Sequence, residues 1–225
     1  MEIKVNDFPY LFANLDKNKP IYCDTETSQL FYKIRLFQVF QEHWESVLVF
    51  DSASPNVLRE AYETVKDCKT IWHNYCYDAA CFMEDLGIKY NPFRSFEDTL
   101  LLSRLVLYKE IDAFTLDTCL VHVHGFDPYE KIGNKRELQL SFLSTKRRDM
   151  TTQPLERRQV EYAAVDVFYL PKLYYKVKEA RTHPLYLLDK EFIDKSLTWQ
   201  QNGLPIIRSL IPKLQEKLVL SLIHI

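Results

Sequence analysis

The chain has 225 residues, enough for one α/β domain and a small extension, and its 47% hydrophobic and 27% charged content is ordinary for a globular protein. With four glycines it has no Gly-rich phosphate loop, and neither G-x-x-x-x-G-K-S/T nor G-x-G-x-x-G occurs, which argues against nucleotide sites of those kinds. The formal net charge of −2 is too acidic for binding nucleic acid by phosphate neutralisation alone, so any such contact is local or metal-mediated.

In chain order, residues 20–24 (PIYCD), 33–40 (KIRLFQVF) and 46–50 (SVLVF) are short, apolar and β-prone, and read as a meander of three strands. Ser54 and Pro55 open a helix that runs to about Lys66, with Val57, Leu58, Ala61 and Val65 on its apolar side. Residues 69–72 (KTIW) read as a fourth strand. Residues 75–86 suit a helix closed by Gly87, residues 97–107 another with Asp98 near its start, and residues 114–124 a third stopped by Gly125. Residues 126–154 are polar and carry no period. From Leu155 to about Ala180 the pattern is helical, with a kink expected at Pro171. A separate helical pattern fills 184–225. The order β-β-β-α-β-α and then helices implies a mixed sheet flanked by helices, an α/β fold with a C-terminal helical extension.

Five cysteines, an odd number with no C-x-x-C, suggest neither a disulfide framework nor a zinc site and suit a reducing cytoplasmic setting. The N-terminus lacks the pattern of a signal peptide, and no run of about 18 apolar residues is present to cross a membrane. His122 and His124, spaced i, i+2 on a helix, do not share a face and make a poor zinc pair.

The chemistry lies in four acids and a tyrosine. Asp24 and Glu26 form D-T-E at the end of the first strand, where residues i and i+2 point the same way. D-x-E alone is weak, since it arises about once by chance in a chain of this length. Asp78 sits in HNYCYDAACF and Asp166 in EYAAVDVFYL, each among apolar neighbours where an unpaired buried carboxylate is costly and a cation removes the cost. Tyr162 lies four residues before Asp166, on the same helix face. Each acid also has a bland reading, as a solvated strand end or a helix-surface residue. Together they offer oxygen ligands only, which suits Mg²⁺ or Mn²⁺. Two such ions, about 3.5–4 Å apart, clamp an in-line phosphoryl displacement. All four carboxylates are then expected to converge across one cleft.

DTET, HNYCYDAACF and YAAVD resemble the three motifs of the DnaQ-like DEDDy 3′–5′ exonucleases, on an RNase H-like fold. The likeness spans about residues 20–180 and is nearest to the proofreading domain of family A DNA polymerases, with ribonuclease D beside it. It implies Asp24, Glu26, Asp78 and Asp166 as ligands of two Mg²⁺ or Mn²⁺ ions. It implies that Tyr162 orients the attacking water, since a phenol with a pKa near about 10 is a poor base at neutral pH. It implies substrate contacts from Thr27, Leu30, His73 and Asn74. Arg35-Leu36-x-Gln38 matches a framework element, and Asp98-Thr99 the start of the next helix.

Two departures qualify the likeness. Where ribonuclease D has S-x-W, this chain has Gln139-Leu140-Ser141-Phe142, and the run from Trp199 to Leu204 resembles the passage into a polymerase domain. The domain reading is a lead segment at 1–17, an exonuclease domain at 18–180, and an extension at 181–225 that could open a polymerase module. The expected substrate is the 3′ end of single-stranded DNA. The alternatives are ribonuclease D-like trimming of RNA and a catalytically inactive nucleic-acid-binding domain. The basic run at 145–158, with Lys146, Arg147 and Arg148, is either a solvated segment or a phosphate contact.

Overall fold

The three apolar runs near the N-terminus pair as an antiparallel meander: β2 (Ile21–Thr27), β3 (Ile34–Phe40) and β4 (Ser46–Asp51). The computed structural model describes residues 1–28, 33–53, 55–142 and 154–202. Every residue of β3 is buried, because helices cover both faces of the sheet at its centre. Strand β5 (Lys69–Trp72) joins β2 in parallel.

Two strands went unread in the sequence. β1 (Glu2–Val5) pairs in parallel with β4, from Glu2↔Ser46 to Val5↔Val49, and leads into α1 (Phe8–Asn14), capped by Asp7. β6 (Ser95–Asp98) takes the start of what reads as one helix over 97–107 and pairs in parallel with β5; α4 then runs Thr99–Val106. Both are edge strands, revealed by their pairing with β4 and β5. The sheet order is β1-β4-β3-β2-β5-β6, a mixed six-stranded sheet.

Helices α2 (Pro55–Val65) and α3 (Tyr75–Leu86) pack against β4 and against β3 and β6, respectively. α5 (Leu116–His124) ends at Gly125 with φ 76°, and α6 (Lys135–Phe142) forms within the stretch that showed no period. α7 (Arg157–Val177) crosses β1 to β4 and runs as one helix through Pro171, where a kink was expected. A short 3₁₀ turn links it to α8 (Pro184–Asn202), the described part of the C-terminal extension; the remaining tail residues lie outside the described residues.

Beneath α3 the core is aromatic. Phe93 meets Trp72 at 4.9 Å and Phe82 at 5.1 Å, and Phe96 stacks on Tyr75 at 3.8 Å. Tyr75 and Phe82 are fully buried, which removes them as base-stacking surfaces, whereas Tyr77 is 41% exposed. This packing fixes α3 against the sheet and with it the position of Asp78. Among the described residues no helix is long and apolar enough to cross a membrane.

Candidate active site

β2 continues past residue 24 to Thr27, so D-T-E lies inside a paired strand. Side-chain alternation puts Asp24 and Glu26 on one face of β2, and an irregularity in pairing between Glu26 and Thr27 breaks the alternation at the strand's end. That face looks onto α7, which presents Tyr162 and Asp166 one turn apart. Carboxylate oxygens of Asp24, Glu26 and Asp166 lie within 4.8 Å of one another. They open, with Tyr162, into a cleft of about 760 Å³.

Asp78 stands beside this group rather than within it. It sits in the first turn of α3, where Thr25 Oγ1, from a residue that lines the cleft, donates to its Oδ1 at 2.6 Å. It stands outside the 4.8 Å group yet close enough for its charge to act on Asp24 and Glu26.

The residues expected to touch substrate divide in the same way. Thr27 and His73 line the cleft, and Thr27 Oγ1 pairs with the Tyr77 hydroxyl at 2.8 Å. Both ring nitrogens of His73 are already engaged, Nδ1 with Thr99 Oγ1 and Nε2 with the Phe114 carbonyl, each at 2.9 Å. Burial pulls the His73 pKa down to about 4, so the ring is neutral and ties the start of α5 to α4. Asn74 caps α3 in the left-handed region (φ 74°); its side chain is exposed and is not part of the cleft lining. Leu30 lies outside the described residues, as do Lys146, Arg147 and Arg148.

A family model described as 3′–5′ exonuclease matches residues 5–180. The chain belongs to the 3′–5′ exonuclease family. Solved structures of these exonucleases share its fold. NrnC of Brucella melitensis is 19% identical with a TM-score of 0.62, over 90% of this chain and 93% of that one. RNase D of Trypanosoma brucei, solved as a GMP complex, is 18% identical with a TM-score of 0.65, over 92% and 66%. RNase D of Escherichia coli, titled an exoribonuclease involved in structured RNA processing, is 19% identical with a TM-score of 0.62, over 88% and 51%. At these identities the likeness carries the fold, here the RNase H-like α/β sheet expected from the motifs. Comparison with curated proteins gives no match.

The electrostatics of this cleft are those of a site short of positive charge. Burial, then the neighbouring Asp166, holds the carboxyls of Asp24 and Glu26 well above the usual carboxylate range. Burial raises Asp166 to about 6 against the pull of Lys135 and the Tyr129 hydroxyl, and Asp78 to about 7 against the Thr25 hydrogen bond. Burial and the nearby acids raise the Tyr162 phenol, which stays protonated at any physiological pH. Acids gathered at this distance with few donors fit a hard divalent cation, which accepts oxygen ligands and removes the mutual repulsion.

Among the residues of the cleft and its surroundings that sequence reasoning missed, four stand out. Lys135, Gln139 and Asp117 line it, with Lys135 Nζ 3.4 Å from Asp117, and the buried Tyr129 donates from its hydroxyl to Asp166 Oδ1. Three of them lie in the segment without a hydrophobic period. The signal available there was Asp127-Pro128, a turn-former that holds Tyr129 through a bond from its N–H to Asp127 Oδ1 at 2.8 Å.

Proposed function

We propose that residues 18–180 form a divalent-cation-dependent exonuclease domain that removes nucleoside monophosphates from RNA 3′ ends, in the manner of ribonuclease D. The observation that carries the cation dependence is the Asp24–Glu26–Asp166 group, three carboxylates within 4.8 Å beside a protonated tyrosine in one cleft. The reading of RNA rather than DNA is supported by the neighbours' titles: RNase D of T. brucei with GMP and with RNA U12, and NrnC with pGG.

In this reading Asp24, Glu26 and Asp166 would bind Mg²⁺ or Mn²⁺ directly, and Asp78 adds negative charge from its place beside Thr25. The ions supply Lewis-acid activation of the scissile phosphate and of water at neutral pH, and neutralise the leaving oxygen. Tyr162, held as a phenol, orients the attacking water by a hydrogen bond and takes no proton. Thr27 and Tyr77 form the wall on which the terminal nucleotide rests. Lys135 is the cation nearest the acids in the cleft lining and neutralises the incoming phosphate. His73, saturated by Thr99 and Phe114, shapes the wall rather than binding substrate.

The test uses RNA and DNA oligonucleotides of one sequence, 5′-labelled, with Mg²⁺ or Mn²⁺ and with EDTA. A ladder of RNA shortened from the 3′ end, with release of 5′-monophosphates, is expected. Faster loss of DNA would favour the proofreading reading. No degradation of either would favour an inactive binding domain. Activity that survives EDTA, or Asp24→Ala with Glu26→Ala, rejects the cation mechanism.

A further inference from the structure

Among the cleft acids, Asp166 has an engaged partner that no motif marks. Tyr129 lies between α5 and α6, is 3% exposed, and donates from its hydroxyl to Asp166 Oδ1. Its ring packs beside Tyr162 at 5.7 Å between centroids, and Lys135 Nζ stands 4.5 Å above it. Four bonds hold the loop around it. The Tyr129 N–H meets Asp127 Oδ1, the N–H groups of Ile132 and Gly133 return to the Tyr129 carbonyl at 2.8 and 3.3 Å, and Arg158 Nε reaches the Ile132 carbonyl at 3.2 Å. Gly133 has φ +114°, a backbone conformation that favours glycine, so a side chain there strains the loop, while the Arg158 guanidinium that a Cβ would meet at 2.4 Å is the free end of a flexible side chain.

A carboxylate held by one oxygen through a rigid buried donor cannot turn freely about its last torsion. The donor thereby decides how the remaining lone pairs are presented to a cation, as partners behind a metal ligand generally do. We propose that Tyr129 is a positioning residue of the cation site, whose hydroxyl fixes the Asp166 carboxylate in the orientation that completes the group with Asp24 and Glu26. The inference rests on the cation-binding reading above. It adds that the site is assembled partly by the loop at 126–134, and that Tyr129 itself touches neither cation nor substrate.

The experiment is a Mn²⁺ titration of the full chain, with free Mn²⁺ followed by electron paramagnetic resonance, on the parent, Asp166→Asn and Tyr129→Phe. Thermal melts establish that each is folded. Phenylalanine keeps the ring and its packing and deletes only the donor. The parent is expected to bind, and Asp166→Asn to lose most of the binding. Tyr129→Phe is expected to weaken it about tenfold, with the Mn²⁺ concentration for half-maximal cleavage rising by the same factor. If Tyr129→Phe does not fold, Gly133→Ala carries the test, since it disturbs the loop from outside the cleft and is expected to weaken Mn²⁺ binding in the same direction. A parent that binds no Mn²⁺ defeats the cation reading itself. A binding parent whose folded loop variant has an unchanged Mn²⁺ affinity overturns the role given to Tyr129.

Discussion

The buried Asp98 and the half-buried pair Asp24 and Glu26, with Asp166, sit on one sheet and are held in opposite ways. At the end of β6, the Asp98 carboxylate accepts from the N–H groups of Asn74, Tyr75 and Leu100 at 2.8–3.0 Å and so joins α3 and α4 to the sheet. At the end of β2, no hydrogen bond from a side chain reaches Glu26 among the described residues, Asp166 takes one from Tyr129, and the strongest neighbours of both Asp24 and Glu26 are other acids. Burial raises the pKa of both groups. What separates Asp98 from the acids of the cleft is the supply of donors.

The contrast can be broken first by activity. Asp24→Asn removes one ligand charge, and several kcal/mol of lost transition-state stabilisation corresponds to a rate about 10³-fold lower or less, read by RNA cleavage at saturating Mn²⁺. Tyr162→Phe, which loses one oriented hydrogen bond, is expected to cost about 10²-fold in the same assay.

Stability sharpens it. Asp98→Ala deletes three bonds to a charged acceptor, for roughly 3 kcal/mol and a melting point lower by about 6–12 °C. In EDTA at pH 8, Asp24→Asn is expected to shift the melting point the other way, upward by a few degrees, because it relieves repulsion. If both variants destabilise alike, the two groups of acids are the same in kind.

The pH dependence follows from the same difference. Asp166 and Asp78 titrate in the fold near 6 and 7 against an ordinary 3.8, so between about pH 4 and 7 the folded chain keeps protons the unfolded chain has released. Stability in EDTA therefore falls as pH rises through that window. His73, lowered to about 4, works in the opposite sense between 4 and 6.5, one group against several acids. Melting points in EDTA are expected to drop from pH 5 to pH 8, and Mn²⁺ to restore them at pH 8 far more than at pH 5. A smaller effect is expected from Lys135→Met: a rise of a few-fold in KM for RNA with kcat less affected, from one lost charge near the phosphate path.

The sequence by itself determined the meander, the helices with clear caps and periods, and the pairing of Tyr162 with Asp166 on one face. Each of those follows from rules that act within a few residues: strand alternation, helical spacing, a glycine at a helix end. The motif likeness supplied the family, which the match over residues 5–180 bears out. Only the tertiary structure decided that β1 and β6 are strands, since each lies at an edge of the sheet and is fixed by a single partner strand, β4 or β5. It alone decided that Asp78 answers to Thr25, that His73 is spent on Thr99 and Phe114, and that Tyr129 holds Asp166. These are contacts across 26 to 53 positions of chain, where no local period connects the partners and only the packed fold sets which donor meets which acid.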